Sequence, residues 1–182
     1  MSATDLIKIT RAADYAARQH IAQKRKGDRA EPYINHLTEV AVLLAEATGG
    51  KDPELIMGGL LHDTLEDTES TYEDLAQRFG PDVAALVAEV TDDKSLSQRE
   101  RKRVQIEHAP GLSRRAKLLK IADKTSNLRG LVSSPPSGWS QERLRDYVDW
   151  AEQVVRSCRG LNGPLEAEYD KAYQAAKRHF GS

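Results

Sequence analysis

Apolar residues recur at intervals of three and four along the whole chain, and the alternating Val/Ile/Thr runs that mark strands do not occur. This period predicts an all-α protein. Its clearest expression is a stripe of Leu144, Tyr147, Val148, Ala151, Val154, Val155 and Cys158, opened by Ser140 as N-cap and closed by Gly160. Other helix starts are predicted at Asn35 before His36, at Asp52 with Pro53 in the first helical position, and near Ser113. Capping boxes are predicted at Ser70 to Glu73 and Ser97 to Glu100. Stops are predicted at Gly49-Gly50, Gly80-Pro81, Gly130 and Gly160, where a residue tolerant of positive φ is wanted. About eight or more helices result. Residues 24–32 and 133–138 read as loops, the second because Pro135 and Pro136 cannot sit inside a helix. Gly58-Gly59 falls inside a helix, where each glycine costs about 1 kcal/mol relative to Ala unless another helix packs close against it.

Length and charge narrow the picture. At 182 residues, with no internal repeat or shift in composition, residues 1–182 are expected to form one compact helical domain. Lys plus Arg total 27 against 28 Asp plus Glu, a net charge of −1, so no global basic field favours general nucleic-acid binding. Such a charge leaves self-association into an oligomer open. One cysteine, Cys158, excludes an intramolecular disulfide. With no signal-like or membrane-length apolar stretch, the expectation is a cytoplasmic protein without a membrane partner.

The segment Leu60-Leu-His-Asp-Thr-Leu-Glu-Asp67 carries the candidate chemistry. Read as one helix, it places His62/Glu66 and Asp63/Asp67 each four apart on shared faces. His62 and Asp63 then point about 100° apart and reach one ion only at a pocket wall. An imidazole beside a carboxylate suits a borderline divalent ion better than calcium. Two ligands are too few, and His36 and Asp123, both polar residues among apolar neighbours, are the remaining candidates. Ion pairing on a helix surface is the competing explanation for the same residues.

His36, the His62-Asp63 doublet and Asp123 resemble the His…His-Asp…Asp signature of HD-domain metal-dependent phosphohydrolases. More narrowly, Pro32-Tyr-Ile-Asn-His36, Leu61-His-Asp-Thr-Leu-Glu-Asp67, Phe79-Gly80 with Val90-Thr91, and Lys120-Ile-Ala-Asp-Lys-Thr-Ser-Asn-Leu-Arg129 resemble the hydrolase domain of RelA/SpoT-type alarmone enzymes. The likeness runs through essentially the whole chain and leaves no residues for the synthetase or regulatory domains of larger members. It is therefore similar to the stand-alone small alarmone hydrolases. The family often has Pro after its first ligand His, where this chain has Leu37.

The resemblance implies removal of the 3′-pyrophosphate from guanosine 3′,5′-bis(diphosphate) and its pentaphosphate relative, a phosphoric diester hydrolysis giving GDP or GTP plus pyrophosphate. It implies one manganese ion held by His36, His62, Asp63 and Asp123. Glu66 and Asp67 would serve the water and the leaving group, with their individual roles open. Arg25 and Lys26 match the family's basic pair for base and phosphate, Asn127, one turn beyond Asp123, and the adjacent Lys124 are expected to bind the substrate's ribose or phosphate, and Arg143 with Tyr147 resembles the pair that closes the pocket. The nucleotide is thus the expected partner, with the purine open. Two alternatives stand beside this reading. The same site could take the adenosine analogue, a 2′-phosphorylated dinucleotide or another phosphate ester, or the chain could be a helical module that binds an alarmone or a protein without hydrolysis. The Arg101-Lys-Arg103 run reads as a solvated face.

Overall fold

The computed structural model describes residues 2–181, and among them lie ten α-helices. They are α1 (Ala3–Gln19), α2 (Ile34–Thr48), α3 (Pro53–Leu61), α4 (Thr64–Asp67), α5 (Tyr72–Phe79), α6 (Pro81–Val90), α7 (Gln98–His108), α8 (Arg114–Ser133), α9 (Gln141–Arg156) and α10 (Gly163–Phe180). A single 3-10 turn, Ala109–Gly111, joins α7 to α8. Extended pairing among the described residues is limited to one bridge, Lys24 to Pro32, inside the first loop. No helix among them is long and apolar enough to cross a membrane.

Two apolar clusters organise the molecule. One gathers α8, α9 and α10 around Leu119, Val148 and Tyr169; the other gathers α1, α5 and α6 around Ala12, Leu75 and Val83. Helices α2, α3 and α6 contribute to both, since α2 sends Leu44 into the first and Leu37 into the second. The twenty-residue α8 packs against α10, α2, α9, α3 and α6 and forms the axis of the fold. Side chains that leave α2, α3 and α8 toward one another therefore meet in the interior.

Most caps fall where the sequence places them. Asp52, Ser97, Ser113 and Ser140 each accept a backbone N–H at the start of their helix. Two starts differ. Ser70 is already engaged by Tyr15 and Thr68, so the capping box forms one residue later, between Thr71 and Asp74. Helix α2 begins at Ile34, because the Asn35 amide donates to Pro32 and winds the turn before the expected cap.

Gly49 and Gly80 end their helices at φ 58° and 98°. Gly130, expected to be a stop, lies inside α8 instead, and a Cβ there would come 2.5 Å from the Arg25 guanidinium. The long stripe also stops short, since α9 ends at Arg156 and Cys158 sits beyond it, buried.

Gly58 and Gly59 mark close packing, as expected. A Cβ on Gly59 would lie 2.8 Å from Leu44 and 3.3 Å from the Ala41 Cα, and one on Gly58 would lie 2.5 Å from Leu86. Helix α3 is thus pressed against α2 and α6, which fixes the position of its last residues.

Candidate metal centre and nucleotide cavity

Residues 60–67 do not form the single helix that the spacing predicts. Helix α3 ends at Leu61, His62 caps it, and Asp63, at φ −96° and ψ 0°, opens the one-turn α4. This break replaces the shared-face geometry and brings the adjacent side chains together. His62 Nε2 lies 3.1 Å from Asp63 Oδ2.

His36 from α2 and Asp123 from α8 complete the cluster. His36 Nε2 lies 3.3 Å from Asp123 Oδ1 and 3.7 Å from Asp63 Oδ2, and His62 Nε2 lies 3.7 Å from Asp123 Oδ1. His36, His62 and Asp123 are buried and offer ligand atoms all within 4.8 Å of one another. His62 Nε2 is buried without an aligned hydrogen bond, while its Nδ1 faces the Gly59 carbonyl at 2.9 Å. An orphaned nitrogen facing two carboxylates is the arrangement that a divalent cation satisfies. The four residues therefore fit such an ion.

The electrostatics agree. Burial alone would raise Asp63 and Asp123, but His62 beside Asp63 and Lys124 beside Asp123 outweigh it and hold both well below the usual carboxylate range. Burial disfavours charge on both imidazoles. His36 is accordingly lowered, whereas Asp63 and Asp123 override burial at His62 and push it up to about 10.

Above the cluster opens a cavity of about 450 Å³, lined by Asp63, Glu66 and Asp67 on its acidic floor and by Lys24, Arg25 and Lys26 on one wall. Asn127 lines it as well, donating to Asp123 Oδ1 at 2.6 Å and accepting from Arg25 at 3.3 Å. Tyr147 reaches the cavity from α9, beside Trp139.

Two residues of the expected binding set sit further back. Arg143 stacks on Trp139 at 4.2 Å without lining the cavity. Lys124 is buried beneath the cluster, paired with Asp123 at 2.9 Å and lying over the Trp150 ring at 4.4 Å. That geometry turns it toward Asp123 and Trp150, and it does not line the cavity.

Several groups escape the sequence reading. Lys94, Gln98 and Arg101 also line the cavity, so the Arg101-Lys-Arg103 run is solvated only in part. Tyr33 donates to Asp63 Oδ2 at 2.6 Å. Its place inside the Pro32-Tyr-Ile-Asn-His36 motif was the available signal, but a phenol three residues before a ligand reads as core by period alone.

Glu66 and Asp67 differ sharply. Glu66 is half-buried, accepts the Asp92 amide at 3.2 Å through one oxygen, and is raised by burial and by the charges of Asp92 and Asp63. Asp67 is exposed and occupied on both oxygens, by Lys94 and by Gln23.

Comparison with known proteins gives a consistent result. A model of the HD domain matches residues 12–149. The guanosine-3′,5′-bis(diphosphate) 3′-pyrophosphohydrolase MESH1 of Xenopus tropicalis is 46% identical over 170 residues, covering 93% of this chain and 95% of that protein. The protein of the same name from Homo sapiens is 47% identical over 163 residues, covering 90% and 91%. The bifunctional (p)ppGpp synthase/hydrolase SpoT of Escherichia coli (strain K12) is 42% identical over 139 residues, 72% of this chain but 19% of that protein. A solved structure, described as a metazoan ortholog of SpoT that hydrolyzes ppGpp and plays a role in starvation responses, superposes with a TM-score of 0.88 at 46% identity, covering 96% of each chain.

Proposed function

This chain belongs to the HD-domain family and, within it, to the guanosine-3′,5′-bis(diphosphate) 3′-pyrophosphohydrolases, and on that premise we propose that it removes the 3′-pyrophosphate of guanosine 3′,5′-bis(diphosphate) and its pentaphosphate relative. The observation that carries the reading is the convergence of His36, His62, Asp63 and Asp123 beneath a cavity walled by cations.

Two imidazoles and two carboxylates suit a borderline divalent ion, and we propose manganese, which the family resemblance implies. When bound, such an ion makes a water more acidic and offsets phosphate charge. The chain's own residues do the rest. Glu66, with one oxygen bound by the Asp92 amide and its proton affinity raised by burial, takes the proton of the attacking water. Water adds at the phosphorus bonded to the 3′ oxygen; the P–O3′ bond breaks, its electron pair stays on that oxygen, and a proton restores the 3′ hydroxyl. Asp67, held by Gln23 and Lys94, lies beside Glu66 and orients the water. Arg25 offers its planar guanidinium to the base or a phosphate. Lys26 supplies charge at the rim, and Tyr147 closes the cavity from α9. The one thiol, Cys158, is free and buried, which suits the reducing cytoplasm where we place the enzyme.

The test is pyrophosphate release from guanosine and adenosine 3′-pyrophosphate nucleotides, with manganese, with chelator, and with Asp63→Asn. Manganese-dependent release from the guanosine substrate, lost in Asp63→Asn while the helical circular dichroism persists, is expected. Full activity in that variant would sink the ligand assignment. Absence of release from either nucleotide by metal-loaded protein would move the substrate to another phosphate ester.

A further inference from the structure

Next to the His36 side of the cluster runs a chain of polar contacts that the proposed reaction does not use. His36 Nδ1 lies 2.8 Å from Ser126 Oγ. Ser126 is 1% exposed, and its hydroxyl donates to Glu39 Oε2 at 2.7 Å. Glu39 Oε1 in turn accepts from Arg129 at 3.1 Å, and Arg129 reaches Glu168 on α10 at 2.6 Å. The chain emerges at a smaller cavity of about 210 Å³ lined by His36, Asn35, Glu39, Ser126 and Arg129, which adjoins the larger one through Arg25 and Gly130.

Donor and acceptor counting gives this line of contacts a direction. A carboxylate only accepts, so the single Ser126 proton is committed to Glu39. The Ser126 oxygen can then only accept from His36, which places the ring proton on Nδ1. His36 Nε2, the atom that faces Asp63 and Asp123, is left with its lone pair toward the cluster. Glu39 stands three residues after His36 on α2, and Ser126 and Arg129 stand three apart on α8, so two helix faces hold the relay in register.

We propose that Ser126, Glu39 and Arg129 are positioning residues for His36: they fix its tautomer and ring orientation so that Nε2 is presented as a ligand. The inference rests on the ligand set given above. Its strength falls outward, since Ser126 is buried while the side chains of Glu39 and Arg129 are 36% and 37% exposed and screened by water. It also gives α10, which lies beyond the matched HD model, a link to the centre through Glu168.

Groups of this kind set metal affinity by about 10–100-fold. The experiment measures manganese binding to chelator-stripped protein by calorimetry, for the wild type, Ser126→Ala, Ser126→Thr and Glu39→Ala, together with the metal-free Tm and the ¹⁵N ring signals of the histidines. Ser126→Ala is expected to bind manganese roughly tenfold or more weakly, to lose the Nδ1–H signature of His36, and to recover both in Ser126→Thr, with the metal-free Tm of the threonine variant matching the wild type. Glu39→Ala frees the Ser126 proton to turn toward His36 and is expected to weaken binding in the same direction; it carries the test if Ser126→Ala does not fold. Wild-type affinity in Ser126→Ala, or in Glu39→Ala where only that variant folds, overturns the relay. Failure of the wild type itself to bind manganese overturns the ligand set, and the relay with it.

Discussion

Glu66 and Asp67 are adjacent carboxylates with opposite surroundings, and the division of labour proposed for them rests on that difference. Burial comes first in raising Glu66, followed by the charges of Asp92 and Asp63. A base must be deprotonated to act, so activity is lost as pH falls through the raised pKa. The acid limb of kcat is therefore expected above the ordinary glutamate value of about 4.3. Asp92→Asn keeps the amide that holds Glu66 and removes a charge that raises it, so this limb is expected to move to lower pH while kcat at pH 7 stays within about twofold. A limb that does not move would take Glu66 out of the base role. At this scale the sequence was legible in part. His36, His62, Asp63 and Asp123 stood out as polar residues among apolar neighbours. The surroundings of Glu66 and Asp67 are set by Asp92, Gln23 and Lys94, which come from other segments, and no local spacing announces them.

Helix α3 shows how packing overrides local preference. Two consecutive glycines weaken it intrinsically, yet α2 leaves no room at Gly59 for a side chain. Gly59→Ala meets main-chain atoms of Ala41 and is expected to cost about 1–3 kcal/mol of stability. Gly58→Ala meets side chains alone, Leu86 and Leu119, which can shift, and is expected to cost less. Urea unfolding of the two variants measures the order, and equal costs would mean that α2 yields. Starts set by a side chain bonding its own helix, as at Asp52 and Ser97, were readable because that chemistry is local. The end of α8 was not. Gly130 looks like a helix stop, and its actual reason is Arg25, more than a hundred residues earlier.

Across the whole molecule, residues 24–32 and 133–138 were legible as loops, but their meeting was not. The Arg29 amide donates to Ser134 Oγ at 2.9 Å and the Ser137 amide to Asp28 at 2.7 Å. Gly27 sits so close to Ser134 that a Cβ would come 2.0 Å from its carbonyl oxygen. Gly27→Ala must push the Arg25 loop away from α8, so KM for the nucleotide is expected to rise roughly tenfold or more, since displacements near 1 Å carry penalties of that order. Because loops contribute little to the core, Tm is expected to stay within a few degrees, about what 1 kcal/mol is worth at this size. Steady-state kinetics and a thermal melt check the pair, and an unchanged KM would show that this contact does not set the cavity wall. The contact between the loops pairs the Arg29 and Ser137 amides with the side chains of Ser134 and Asp28 and seats Gly27 against Ser134, whereas Lys24, Lys26, Gln98 and Arg101 line the cavity and take no part in it. Width and charge are therefore inherited separately: descendants of this chain can exchange rim residues and drift toward another nucleotide while the distance between the walls is passed on unaltered.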